Sequence, residues 1–450
     1  MKSMSLSVIC ILFSIVSAAQ GSRTTTLSLQ ECVQLAVERN INVECARIDL
    51  EKNGHRVSET RSALLPKVNV NGSFMDYIEK PKTLLPGIIF GREGNMSVEM
   101  GTQYNTGASV GVTQALYNQS ALAGLKIARQ VEAMTGLGVE KASEELAAEV
   151  AKLYFLTLTT ARQKDLVEEN IARVKRLSDI IQLLVENGMG RETDFERISV
   201  SLENLYTQQS NVNAVLEMQL NMLKYTLVIP LEETIVLTDN VEMSLLVQMP
   251  GLQSDFSGHV DIQMLEAQME MNRLNESLIK AGYLPSLAFV GQVGWTGYRD
   301  EFKNYFRSSP ESDWFRSSYV GLSLSIPLFD GFEKRSKSLQ AKMDFQKTAA
   351  LLSDRKERFT ADYQNAVNNY QNNKANVERQ KQNTALAERV YDETALKYRE
   401  GLATMSNLLQ DEMSLNAAQA NYLTALYNYK EAELKIMSLN GNIKKLYNNK

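Results

Sequence analysis

Proline is scarce in this sequence: eight residues in 450, with none between Pro86 and Pro230 and none after Pro327. Glycine is modest at 24, and from Phe332 to Asn440 the only one is Gly401. So few breakers exclude a loop-rich design and call for long uninterrupted elements. Histidine occurs twice and cysteine three times, and no CxxC, HExxH, GxSxG or Walker-type loop is present. After residue 20 no run reaches the 18 apolar residues of a spanning helix, which excludes a polytopic helical membrane protein. A surplus of positive charge is also missing. Lys and Arg total 48 against 53 Asp and Glu, for a net charge of −5, so bulk charge does not recruit nucleic acid.

The little chemistry on offer reads as structural. His55 and His259 sit on polar, helix-like segments and are expected to be solvent-exposed. Ser277–Lys280 and Ser353–Lys356 satisfy SxxK, but both fall inside helical patterns with no Lys-Thr-Gly partner. Charged runs such as Glu144-Glu145 and Arg355-Lys356-Glu357-Arg358 read as solvated helix faces. No enzyme constellation, cofactor site or metal site is expected.

Lys2, the apolar run Met4–Val16 and the small residues Ser17-Ala18-Ala19 form a secretory leader, residues 1–18, cut near Ala18 or Ala19. Losing Lys2 with it makes the net charge −6. Cys10 lies inside the apolar run rather than after it, which argues against a lipid anchor. Cys32 and Cys45 share one helix-like segment, roughly 20 Å apart along it, too far to pair. An exported chain without disulfides must be held by a large core, by oligomerisation or by a membrane.

Apolar residues then show two periods. Leu415, Ala418, Tyr422, Ala425, Tyr429, Ala432, Ile436 and Leu439 alternate steps of three and four. Phe195 to Leu223 does the same with Gln209 and Gln219 on the seam, as does Phe359 to Val377. This is coiled-coil spacing with a narrow, partly polar seam. Helices near 120–187 and 331–400 would each run about 100 Å. Four segments alternate instead: Val68–Phe74, Tyr104–Val112, Leu287–Trp295 and Val320–Leu328, each with one apolar and one small or polar face. That is the length and pattern of a transmembrane strand. Tyr77, Tyr117, Trp295, Tyr298, Trp314, Tyr319 and Phe329 cluster near strand ends, as an interfacial girdle requires. A soluble sheet with one wet face would share the pattern.

The order of these parts repeats. Ala63-Leu64-Leu65-Pro66 returns as Gly282-Tyr283-Leu284-Pro285, Gly72 as Gly291, and Leu116-Tyr117-Asn118 as Leu328-Phe329-Asp330. Asn187-Gly188-Met189 to Phe195 returns as Glu400-Gly401-Leu402 to Leu408. Each half reads helix, Leu-Pro, strand, loop, strand, long helix, glycine turn, long helix. Four strands cannot close a barrel in lipid, where edges are not tolerated and at least eight strands are needed. Several copies must therefore contribute, with the helices continuing the barrel as a tube. A tube is a conduit.

Leu27-Ser28-Leu29-Gln30-Glu31-Cys32-Val33-Gln34-Leu35-Ala36, the following Asn40, the duplicated Leu-Pro strand starts, the Gly188 and Gly401 turns and Ser406-Asn407-Leu408-Leu409 together resemble the TolC-like outer-membrane efflux family. The resemblance spans the whole mature chain. It implies a mainly α fold with a β-barrel part: four transmembrane strands per chain, closed as a twelve-stranded barrel in a homotrimer, on a long coiled-coil helical barrel. The expected division is short equatorial helices at 19–66 and 230–284, strands with extracellular loops at 67–117 and 285–329, periplasmic hairpins at 118–229 and 330–440, and a tail at 441–450. It further implies a periplasmic adaptor and an inner-membrane pump as partners, outer-membrane lipid around the barrel, and no nucleic acid. Gly188 and Gly401 match the family's tip glycines, where the tube closes and the adaptor docks. Asp194 and Tyr398 match positions that hold the tips closed. The family's inner acidic rings are replaced by Asn407 and Gln410, with Asp411 and Glu412 just beyond, which puts a cation-selective gate in doubt unless Asp411 takes the role. A duct for type I protein secretion and, in a different class, a periplasmic coiled-coil scaffold are the alternatives.

Overall fold

Ser28 opens the first helix with a capping box: its hydroxyl accepts from Glu31 N, while Glu31 reaches back to the Ser28 amide. The computed structural model describes residues 24–242, 256–302 and 314–448. The leader expected at 1–18 lies outside them. In chain order the elements are β1 (Thr24–Leu27), α1 (Leu29–Arg39), α2 (Ile41–Ser62), β2 (Lys67–Asp76), β3 (Lys82–Pro86), β4 (Asn95–Glu99), β5 (Tyr104–Tyr117), α3 (Gln119–Glu186), α4 (Glu192–Leu227), β6 (Thr234–Leu237), α5 (Val260–Ala281), β7 (Ser286–Arg299), β8 (Trp314–Ser325), α6 (Glu333–Arg399) and α7 (Met405–Leu439). Short 3₁₀ turns lie at Gly87–Phe90, Phe256–Gly258 and Asn442–Leu446.

The chain divides into two compact units. One takes the residues up to Glu44, Ala142–His259 and Phe359 onward. Its first core gathers Cys32, Val33 and Ala36 of α1 with Val150, Tyr154 and Phe155 of α3, Leu223 and Leu227 of α4, and Leu434 of α7. A second core, nearer the helix turns, joins Val174 and Ile181 to Ile198, Leu205, Tyr391, Leu408 and Leu415. The 3-4 spacing read from α7 is a buried seam: Leu415, Ala418, Ala425, Tyr429, Ala432, Ile436 and Leu439 are all buried, and Tyr422 half-buried. β1 pairs in parallel with β6. Asp239, just past β6, accepts from Leu29 N at 2.7 Å and from the Tyr154 hydroxyl at 2.8 Å, tying that pair to α1 and α3.

The other unit, Cys45–Lys141 and Val260–Arg358, contains an antiparallel sheet in the order β2-β5-β7-β8. Its registers carry the repeat. Val68 lies opposite Val112 in the first half, and Leu287 lies opposite Leu324 in the second. These are the same pair after the duplication, and β5 joins β7 to link the halves. The face carrying Val70, Phe74, Val320, Leu322 and Leu324 is apolar and more than half exposed. In the same unit, Asp261 of α5 accepts from Lys141 at 2.8 Å and from Arg355 at 2.7 Å.

Several expectations need correction. Cys32 and Cys45 are not on one helix, because Asn40 turns extended (φ −67°, ψ 135°) and separates α1 from α2. Both remain free thiols, Cys32 buried and Cys45 exposed. His55 is exposed, but His259 lies in the turn before α5, half-buried with its ring 4.4 Å from that of Phe359. Glu144 is buried and paired with Lys444 at 3.2 Å rather than solvated, and Arg355 is spent on Asp261. β8 stops at Ser325, two residues short of Pro327, so Ile326–Leu328 lie beyond the strand. The segment between β2 and β5, read as plain loop, holds the β3–β4 hairpin.

Candidate functional site

Both long hairpins of the first unit end in the same backbone device. Met189 N bonds Leu184 O at 2.8 Å and Gly188 N bonds Val185 O at 2.9 Å; in the second half Leu402 N bonds Lys397 O at 2.8 Å and Gly401 N bonds Tyr398 O at 3.0 Å. This double bond pattern is a Schellman motif, which needs a left-handed residue at the helix end. Gly188 (φ +72°) and Gly401 (φ +75°) supply it without a Cβ penalty. In each turn the residue after the glycine is held out: Met189 is 73% exposed and Leu402 74%. The repeat had placed these two residues at matching positions, but only the structure shows that both present an apolar side chain outward.

Past the turns, α4 and α7 start at different kinds of cap. Thr404 caps α7, its hydroxyl accepting from Asn407 N at 3.3 Å. Arg191 gives α4 no side-chain cap, but Glu192 and Asp194 place carboxylates in its first turn, where the helix dipole favours them. Arg197 of α4 donates to the Ser406 hydroxyl of α7 at 2.8 Å.

Asp194 and Tyr398 come together. The Tyr398 hydroxyl donates to Asp194 Oδ2 at 3.4 Å, linking the start of α4 to the end of α6. Both side chains are half-buried, and burial first, then the neighbouring carboxylate, pushes the Tyr398 phenol up. The other tip residues are not part of that contact. Asn407 and Gln410 are exposed on α7, and Asp411 is half-buried.

Glu412, the next residue, turns inward. It is buried, and the Ser201 hydroxyl donates to its carboxyl oxygens at distances of 3.1 and 2.9 Å. Burial holds its carboxyl above the usual range, against the lowering effects of Ser201 and the Arg173 guanidinium. Arg173 lies 5.3 Å over the Tyr391 ring and 4.0 Å from Glu388. Burial and the Glu412 charge push the Tyr391 phenol up to about 12. This polar cluster was not legible in the sequence, since Glu412 looked like one more carboxylate beside Asp411. The seam position three residues before Leu415 was the available signal.

The strand aromatics also sort by face. Alternation puts Phe74 and Tyr104 on the apolar face, their rings 6.0 Å apart, along with Trp295 and Trp314. Tyr298 and Tyr319, expected in the same girdle, lie on the opposite, small-residue face.

Among the described residues no group of His, Cys, Asp and Glu could hold a metal ion, and no helix is long and apolar enough to cross a membrane.

A profile described as outer membrane efflux protein matches residues 32–226 and 255–442. Outer membrane protein TolC of Salmonella enteritidis is 21% identical over 426 residues, covering 91% of this chain and 81% of that protein. Among solved structures, the open state of the Neisseria gonorrhoeae MtrE outer membrane channel superposes with a TM-score of 0.72 at 18% identity, covering 94% of this chain and 91% of that one. The Campylobacter jejuni CmeC outer membrane channel gives 0.72 at 15% identity, covering 92% and 86%. These superpositions are likenesses of fold.

Proposed function

The chain belongs to the outer membrane efflux protein family, and from that premise we propose that it is the exit duct of a tripartite efflux system. It is an outer-membrane protein of a channel family, not of an enzyme family. In our reading three copies complete a twelve-stranded barrel, a periplasmic adaptor docks at the helix turns, and an inner-membrane pump loads the tube with small molecules.

The observation that carries this is the open four-stranded sheet. β2 and β8 are edge strands with exposed apolar side chains, and an apolar edge in lipid must be paired. On the apolar face Asp76, Arg299 and Arg316 lie toward the strand ends away from the helices, and the band that includes Val70, Val320, Leu322 and Leu324 carries no charge, where a soluble scaffold would place some.

Met189 and Leu402 suit docking, because two exposed apolar side chains at equivalent turns offer the adaptor a repeated contact. The Asp194–Tyr398 bond suits a closed tip that separates when the adaptor arrives. Asn407 and Gln410 bring no carboxylate to the inner ring and Glu412 is buried, so a divalent-ion site there would fall to half-buried Asp411 alone.

The test is single-channel recording of protein purified from outer membranes into a planar bilayer. Discrete conductance steps are expected. A protein that inserts and never conducts contradicts the duct.

A further inference from the structure

Three aromatic side chains stand on the small-residue face of the sheet. The β7–β8 register sets Gln292 opposite Tyr319, Gly294 opposite Ser317 and Thr296 opposite Phe315, so Tyr319 and Phe315 share one face with Tyr298. On that face β2 and β5 contribute Asn69, Asn71, Ser73, Gly107, Ser109 and Gly111, among other small and polar residues. Its only charged residue within the four strands is Lys67, at the end of β2 that follows α2. Tyr298 is 43% exposed, and Phe315 and Tyr319 are each 56% exposed.

Their positions are fixed. The Tyr298 and Phe315 rings are 6.0 Å apart at 52°, and the Tyr319 hydroxyl donates to Gln292 Oε1 at 3.1 Å. Between Phe315 and Tyr319 the face drops to Ser317 and Gly294. Four residues of strand separate the Cα positions of Phe315 and Tyr319 by about 13 Å. The result is a slot with aromatic walls, a small floor and no charge, running from the middle of β7 and β8 to their ends away from the helices.

A girdle explains aromatics on the apolar face, as with Phe74 and Tyr104, but not on this one. Apolar bulk without polar neighbours would suit a core, yet these rings are open. An uncharged aromatic slot gains most from flat rings that stack in it, and its π faces also attract positive charge.

We propose that Tyr298, Phe315 and Tyr319 form a stacking site for planar aromatic compounds, neutral or cationic, on the inner wall of the duct near its outer mouth. This rests on the duct reading above, which turns the small-residue face inward.

The experiment is current block in planar bilayers by ethidium, a planar aromatic cation, added on the side of the outer mouth. Tetrabutylammonium, a cation without rings, serves as the comparison. Ethidium block events are expected to shorten about tenfold in the double variant Phe315→Ala with Tyr319→Ala, from the loss of two ring contacts. Tetrabutylammonium block stays within twofold. Phe315→Leu with Tyr319→Leu keeps the bulk and removes the rings, and the same shortening is expected there. Equal ethidium block in wild type and the leucine variant, in channels that conduct normally, overturns the stacking site and leaves the duct standing. Equal loss for both cations overturns it as well. Wild-type protein that never conducts removes the duct and the stacking site with it.

Discussion

The Tyr398 hydroxyl reaches Asp194 Oδ2 across 3.4 Å and so connects the end of one long helix to the beginning of another, beside both glycine turns. At that length the bond is weak, worth about 1 kcal/mol or less. In the gate we propose at these turns, losing one such contact is enough to tip the balance. Asp194→Ala with Tyr398→Phe is therefore expected to raise mean conductance in a bilayer several-fold without changing the oligomer. Unchanged conductance would remove these two residues from the gate.

Glu412 predicts how tip stability responds to pH. Its carboxyl is held above the ordinary range by burial, so the folded tip binds a proton more readily than the unfolded chain. The penalty is present at neutral pH and is lost as pH falls through the raised pKa toward the ordinary value of about 4.3. Glu412→Gln should thus melt higher than wild type at pH 7.5, with the gap closing by about pH 4.5. A variant that melts lower at neutral pH would show that the Ser201 and Arg173 contacts outweigh burial.

Lys430 and Glu433 form a fully buried ion pair on α7, 3.0 Å apart, with Lys430 5.5 Å over the Phe155 ring. Burial pushes the Lys430 ammonium down despite its partner. Removing only one charge strands the other: Glu433→Ala is expected to cost about 3–5 kcal/mol. Lys430→Met with Glu433→Leu should be near neutral or stabilising. Thermal melts of the detergent-solubilised protein separate the two, and similar losses in both would contradict the account.

In the oligomer we propose, the duplication also predicts how one copy meets the next. Val112 faces Gly291 where β5 joins β7, and by the repeat these answer to Leu324 and Gly72. The seam between copies should therefore set Leu324 opposite Gly72 of the partner subunit, and Leu322 opposite the partner subunit's Phe74. This keeps the apolar faces on one side, as a slip of one residue would not. In a Cys45→Ser background, oxidation should crosslink Leu322→Cys with Phe74→Cys or, two strand faces alternating in geometry, Ser323→Cys with Ser73→Cys. Crosslinking of Leu322→Cys with Gly72→Cys instead would place the seam in another register.

Much of this was legible in the sequence. Long helices and alternating strands are local patterns, and the four strand segments and both glycine turns emerge where periodicity and breakers put them. Contacts that depend on which side chain turns inward were not legible. Asn40 breaks a helix that its apolar spacing would continue, because its side chain caps Asn42 N and also donates to Thr226 O, 186 residues away. Glu144 and Glu412 look like surface carboxylates until a partner far along the chain takes them inside. The spacing of Tyr298 and Tyr319 suits a girdle as well as a lumen face, and only the register shows which face they occupy.

The most direct measurement is the mass of the protein extracted in detergent from purified outer membranes, by light scattering corrected for bound detergent. Three copies per particle is the result this account predicts. A single copy, or protein recovered free in the periplasm, would leave the edges of β2 and β8 unpaired and contradict the duct.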